Sequence, residues 1–246
     1  MRRSLVFALF FPVCIAFAQQ PGMLDVMFNE DGRILLDDVD SASVPQVVAL
    51  HDRHLVLAYQ RVEDGQQFIE LRGLTDDGYT EPLFGDQGLL RIHALGSLLK
   101  VLVTSDGGIL VVSIRGASLE LETFVSRYSA DGVLDTTYAS SGINALTPLV
   151  PVYSIMDAML LPDDRLYITG RLISPYQYWI TRLHPDGSVD LSFGSSGEYE
   201  SVETGFTVKI AVQSMDYLYV LGSTIRRLDR DGQQPMETIP AGSVRI

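Results

Sequence analysis

Four histidines, a set of acidic turns and a few serine pairs are the residues of this sequence whose chemistry comes first to mind. His51 and His54 stand three apart in a turn between two apolar runs, and His93 and His184 stand alone. A zinc site on a helix needs two histidines on one face at spacing four, and a turn does not converge side chains that way. "DDVD" (37–40), "TDDG" (75–78) and "PDDR" (162–165) gather carboxylates of the kind calcium prefers. No D-x-[DN]-x-[DN]-G loop accompanies them, and Asp favours turns for local backbone reasons alone. Ser140-Ser141 and Ser195-Ser196 lack a G-x-S-x-G elbow. Neither a phosphate loop nor a G-x-G-x-x-G turn occurs, and the one cysteine, Cys14, lies in the N-terminal apolar run. No S-x-D-x-G-x-T-W box is present: Asp131 is followed directly by Gly132, with no tryptophan after it. No catalytic, cofactor-binding or metal-ligating residue is therefore assigned, and no cofactor is expected. The remaining candidate is aromatic. In "SPYQYWITR", strand alternation puts Tyr176 and Tyr178 on one face and Trp179 on the other. An outward pair would suit a sugar or peptide; packing against a neighbouring sheet is the stronger expectation.

The elements that would position any of these residues repeat. "LHPDGSVDLSFGSSG" (183–197) has weaker copies at 128–142 and 74–88 and a remnant at 228–242. Its Asp-Gly glycines are Gly78, Gly132, Gly187 and Gly232, at spacings of 54, 55 and 45. An aromatic before a second glycine recurs as Phe28, Phe84, Tyr138 and Phe193, at spacings of 56, 54 and 55. A turn followed by an alternating apolar run recurs at 51–59, 105–113, 162–170 and 214–222. In the third copy, 142–150, 153–161, 165–172 and 176–184 read as strands, and in the first 33–37, 44–50, 54–60 and 67–74. No sustained helical periodicity with caps follows Gln19. A four-stranded antiparallel meander repeated every 40–55 residues predicts an all-β fold, a β-propeller built from about four four-stranded antiparallel blades. The motif that opens the repeat is then a blade junction. Its aromatic packs between neighbouring blades, and its glycines turn the chain into the innermost strand of the next.

Arg127 and Arg182 stand five residues before the turn glycine, and Asp135 and Asp190 three after it. Across a tight hairpin these become near-diagonal neighbours, so two ion pairs are expected. The first copy has Gly73 and Glu81 at those places, and the last has Arg227 and Pro235.

"RLHPDGSVDLSFGSSG" and "RYSADGVLDTTYASSG", with "SDGGILVVS" and "PDDRLYITG", resemble the delta-60 repeat, a bacterial repeat of the form R-L-x-x-D-G-x-x-D-x-x-F-G-x-x-G followed by a D-G-x-I-x-V-x-G strand. The resemblance runs over about residues 23–242. It weakens where Glu81 and Pro235 replace the aspartate and Thr238 replaces the aromatic. It implies a propeller-like β fold and no general catalytic activity.

The N-terminus and the charge bound the function. "MRR" followed by "SLVFALFFPVCIAFA" and Ala16-Phe17-Ala18 reads as a secretory signal peptide, cleaved near Ala18. The apolar run is too short to span a bilayer comfortably. Export to the periplasm or beyond follows, with residues 19–246 as a single repeat domain in units 22–78, 79–132, 133–187 and 188–232 and a closing strand in 233–246. Cleavage would remove the only cysteine, so no disulfide is expected. The net charge of −13 disfavours nucleic acid, and no later segment is long and apolar enough to span a membrane. Five junction elements for four sets of the other strands leave a C-terminal strand, about 242–246, free to clasp the N-terminal blade. A closed monomer is favoured over an array that closes on another chain. The functional expectation is a non-enzymatic scaffold for an unknown protein or glycan ligand. The alternative is a hydrolase or lyase acting on a carbohydrate or lactone, marked by three or more Asp, Glu or His side chains converging near the axis.

Overall fold

The computed structural model describes residues 24–36, 39–40, 44–51, 54–93, 95–116, 121–150, 152–173, 177–201, 209–212, 217–221, 224–232 and 235–240. The 1–18 segment and the 242–246 strand lie outside them, as does Tyr176. Among the described residues, sixteen strands form four antiparallel sheets of four. The first holds β1 (Gln46–Ala49), β2 (Leu55–Glu63), β3 (Gln66–Leu74) and β4 (Leu89–His93). The second holds β5 (Ser97–Val103), β6 (Ile109–Arg115), β7 (Glu122–Tyr128) and β8 (Ile143–Leu146). The third holds β9 (Val152–Leu160), β10 (Leu166–Leu172), β11 (Tyr178–Leu183) and β12 (Glu198–Glu200). The fourth holds β13 (Lys209–Val212), β14 (Tyr217–Leu221), β15 (Thr224–Asp229) and β16 (Pro235–Pro240). The fold is the expected all-β propeller type, with each sheet a simple meander.

The phase of the repeat differs from expectation. The strand after a junction does not open the next sheet but closes the one before it: β4 pairs with β3, β8 with β7 and β12 with β11. The junction is a compact loop that folds back on the strand it left. In the first copy Leu74 bridges Thr80, and the Gly73 amide donates to the Gly88 carbonyl at 3.0 Å. The next strand is thereby returned to the edge of the same sheet. Residues 33–36, expected as a strand, form none. They follow a junction, but no third strand precedes them among the described residues to offer an edge. In the last copy β16 pairs β15 straight across the Asp231-Gly232 turn.

The middle strands of the second and third sheets are apolar on both faces because each serves two interfaces. On β6, Ile109 and Val111 pack with Val56, Ala58, Ile69 and Leu71 of the first sheet. Leu110 and Val112 pack with Leu166, Ile168 and Trp179 of the third. Tyr167, Tyr178 and Ile180 then meet Ile210, Leu218, Val220 and Leu228 of the fourth. Full burial of each such side chain contributes about 1.5–3 kcal/mol, so neighbouring sheets stabilise one another by covering each other's apolar faces. The innermost strands touch in series, β1 to β5, β5 to β9 and β9 to β13, with no comparable contact between β13 and β1 among the described residues.

Candidate functional site

Two constructions recur once per sheet: a junction clasp between neighbouring sheets and a polar position on the innermost strands.

The clasp follows directly from the opening motif. An acid heads it: Asp25, Glu81, Asp135 or Asp190. Its carboxylate accepts the amide two residues on, from Met27 (3.0 Å), Leu83 (3.1 Å), Thr137 (3.0 Å) and Ser192 (3.0 Å). The aromatic follows, and then a residue at positive φ: Asn29 (47°), Gly85 (55°), Ala139 (48°) and Gly194 (56°). That turn aims the backbone amide at the next Asp-Gly turn. Asn29, Gly85, Ala139 and Gly194 donate to the carbonyls of Asp77, Asp131, Asp186 and Asp231 at 2.7, 2.7, 2.8 and 2.7 Å. The aromatic ring lies over the glycine of that turn. A Cβ on Gly187 would stand 2.5 Å from Tyr138, and one on Gly232 would stand 2.6 Å from Phe193. These glycines also have φ of 85° and 67°, so both conformation and space require glycine.

The two expected ion pairs form. Arg127 lies 3.4 Å from Asp135, and Arg182 lies 2.7 Å from Asp190. They differ in depth. The Arg182 and Asp190 side chains are 1% and 3% exposed, against 20% and 25% for Arg127 and Asp135. Arg182 also donates to the Arg230 carbonyl, approaches Asp231 at 3.5 Å, and lies over Phe193 at 4.9 Å from the ring centroid. Burial raises the Asp190 pKa, but the Ser192 hydroxyl and amide and then Arg182 outweigh it, so the carboxyl titrates below its ordinary range. Asp106 is held at about 2, chiefly by the Thr104 hydroxyl, with the Gly108 amide and Arg127 adding to it against burial.

The second construction was not singled out from sequence. Gln46, Lys100, Asp157 and Lys209 occupy one equivalent place on β1, β5, β9 and β13, facing Ala58, Val112, Thr169 and Leu221 across the pair. Gln46 grips β5, donating to the Leu99 carbonyl at 2.8 Å and accepting the Val101 amide at 3.0 Å. The Asp157 side chain is 7% exposed and takes Lys100 from one side at 3.2 Å and Lys209 from the other at 3.4 Å. Three sheets thus meet at one carboxylate, and two ammonium groups, 35% and 57% exposed by side chain, remain accessible to solvent. Such a patch can hold an anion. The signal in the sequence is one polar residue per copy, nine positions before Leu55, Ile109, Leu166 and Leu218.

Among the described residues, those first considered for chemistry do not converge, and Asp37 and Asp38 lie outside them. His51 is an exposed turn residue. His54 approaches Glu81 at 3.5 Å, His93 stacks edge-on against Phe68 at 4.8 Å, and His184 approaches Asp190 at 3.5 Å. Of the acidic turns, Asp164 accepts the Ser105 amide at 2.7 Å, and Asp163 pairs with Arg165 at 2.7 Å. Among the described residues no three His, Cys, Asp or Glu side chains group as metal ligands would. Trp179 and Tyr178 are buried on opposite faces of β11, facing the second and fourth sheets respectively. Packing between sheets accounts for both.

A family profile described as "Domain of unknown function (DUF5122) beta-propeller" matches residues 161–193. That stretch contains β10, β11, the Asp186-Gly187 turn and Phe193. No curated protein matches the chain. Among solved structures it is similar to the polysaccharide lyase Uly1, at 12% identity over 81% of this chain and 50% of that one, with a TM-score of 0.45. It is also similar to MPT-4, a mannose phosphorylase from Leishmania mexicana, at 14% identity over 80% of this chain and 67% of that one (TM-score 0.40). A gluconolactonase from Xanthomonas campestris matches at 16% identity over 85% and 88% of the two chains (TM-score 0.28). The chain spans about half the length of the lyase.

Proposed function

We propose that this protein is an exported, non-enzymatic propeller scaffold of the delta-60 type that binds a carboxylate-bearing saccharide at its innermost strands. The observation that carries the reading is the Lys100–Asp157–Lys209 cluster. Asp157 neutralises one positive charge and fixes both lysines across three sheets. A second positive charge is left over for a ligand, on a chain whose net charge is otherwise −13. On an acidic protein, a locally basic point discriminates by charge sign and position. The sheets around it are held by clasps and apolar interfaces, which gives the lysines a rigid mounting. Export is supported by the apolar N-terminal run behind "MRR".

The test is calorimetric titration with a uronate oligosaccharide, alongside its neutral counterpart. The acidic ligand should bind and the neutral one should not. Lys100→Ala and Lys209→Ala should each weaken binding about tenfold, one charge-assisted contact apiece, and raising salt should weaken the wild type. Equal binding of both ligands, or a Lys100→Ala/Lys209→Ala protein that binds unchanged, would remove the site. Release of new reducing ends or unsaturated products during the titration would replace the scaffold by the enzymatic alternative.

A further inference from the structure

The clasp after the third sheet holds a guanidinium in a place built from four groups. Asp190 meets it at 2.7 Å, the Arg230 carbonyl accepts from it, Asp231 lies at 3.5 Å, and the Phe193 ring lies 4.9 Å away by its centroid. Arg182, which brings it, stands five residues before the turn glycine. The clasp after the first sheet has all four counterparts: Glu81 for Asp190, Ala130 for Arg230, Asp131 for Asp231 and Phe84 for Phe193. Its Phe84 ring lies over Gly132, and its Gly85 amide docks on the Asp131 carbonyl, so the loop has the same geometry. What differs is residue 73, a glycine where the arginine would stand.

Space remains at that place. Gly73, Glu81, Phe84, Ala130 and Asp131 line a cavity of about 100 Å³, the liquid volume of about three waters. A side chain at residue 73 cannot fill it, because a Cβ there would stand 2.4 Å from the Phe84 Cβ. An occupant enters from outside, past Leu83, which lines the cavity and is 80% exposed. Glu81 is already positioned for one. One carboxylate oxygen accepts the Leu83 amide at 3.1 Å, which fixes the side chain. The other is approached by the His54 imidazole at 3.5 Å, beyond the usual hydrogen-bond range. The Glu81 side chain is 17% exposed, and at that depth a charged donor is worth more than in open water.

We propose that the first clasp receives the guanidinium of an arginine side chain on a protein partner. A cavity this small takes a head group and leaves the rest of the ligand outside; sites that enclose whole small molecules run to about 300–1,000 Å³. The planar fork meets Glu81 and the Ala130 carbonyl as Arg182 meets Asp190 and the Arg230 carbonyl, with its flat face on Phe84. A lysine ammonium offers neither the fork nor the flat face. The second and third sheets close this clasp with their own arginine, and the first closes it with a partner's. The inference rests on the clasp and not on the lysine cluster of the inner strands, so either can fail without the other.

The probe is N-acetyl-arginine amide, titrated into the purified chain while the amide resonances of Leu83, Gly85 and Gly132 are followed. These should shift together with one Kd. The corresponding citrulline compound, of the same shape without the charge, and the lysine compound should each bind at least about tenfold more weakly. Glu81→Gln keeps an acceptor for the Leu83 amide, so it should fold, as circular dichroism checks, and lose about tenfold in affinity for the arginine compound. Arg182→Ala is the positive control: it opens the matching place in the third sheet, and the same compound should then also shift Gly194 and Gly232. The wild-type and Glu81→Gln results stand without that control if the variant does not fold. Resonances unmoved at about 50 mM compound would leave a cavity for water only and overturn the proposal. Equal binding of the citrulline or lysine compound, or unchanged binding to Glu81→Gln, would also overturn it. A peptide presenting arginine should bind at least as tightly as the blocked residue. Binding of free arginine with the peptide excluded would replace the protein partner by a small guanidino ligand.

Discussion

Arg182→Ala is expected to lower the unfolding free energy by about 3–5 kcal/mol, the cost of leaving a buried charge without its partner. Asp190 sits at 3% side-chain exposure, and its carboxylate lies 2.7 Å from the guanidinium. The arginine also spans two sheets, bonding the Arg230 carbonyl and lying over the Phe193 ring. Truncation removes both the charge and the stem that fills this space. Arg127→Ala supplies the contrast. Its pair with Asp135 is partly solvated, and such pairs contribute about 0.2–1 kcal/mol. Denaturant midpoints of the two variants should therefore separate clearly, and equal losses would show that burial at Arg182 is not what matters.

The pH dependence has a definite sign. Asp190 has a folded pKa below its unfolded value, so its ionised form favours the native state. That contribution is full above the unfolded value, near 4, and is lost as pH falls through the folded one. Asp106, Asp135 and Asp186 shift the same way, so the wild type should lose stability together at these carboxyls below about pH 4. Without Arg182, burial pushes the Asp190 carboxyl upward. The deficit of Arg182→Ala against wild type should thus be largest near neutrality and narrow on acidification.

Depth of burial is the part of this that no spacing reveals. Arg127–Asp135 and Arg182–Asp190 share one spacing and one turn, and the ion pairs were legible from that alone. Their difference comes from the next sheet, where Arg230 and Asp231 close over Arg182. The repeat itself was legible because every junction needs the same parts: a ring, a glycine beneath it and a residue that tolerates positive φ. The phase was not. A period states how far apart strands lie and not which edge each one joins. β4, β8 and β12 are short enough to join either neighbour, and the hydrogen bonds of the folded-back loop decide. The innermost cluster was hidden for another reason. Gln46, Lys100, Asp157 and Lys209 share a position but not a chemistry, and each alone is an ordinary polar residue in a half-buried strand. Only superposing the four copies turns them into one place.

Phe193→Ala is expected to cost about 3–5 kcal/mol, the range for deleting a fully buried aromatic. The ring is 0% exposed. It meets Tyr167 edge-on at 5.3 Å and receives Arg182 on its face. It also covers Gly232, which has no side chain to move into the space left behind. The cavity should therefore collapse poorly. Because the ring joins the third sheet to the fourth, the loss should be local before it is global. Amide exchange should accelerate first in β14 and β15, with β6 and β10 little changed, and uniform acceleration across all four sheets would contradict the clasp as a joint between neighbours. Phe28→Ala, at the half-buried equivalent, should cost less. Phe193 and Arg182 touch, so the two alanine variants should not add. Once either is gone, the other has lost much of what it held, and the protein lacking both should be less destabilised than the sum of the singles.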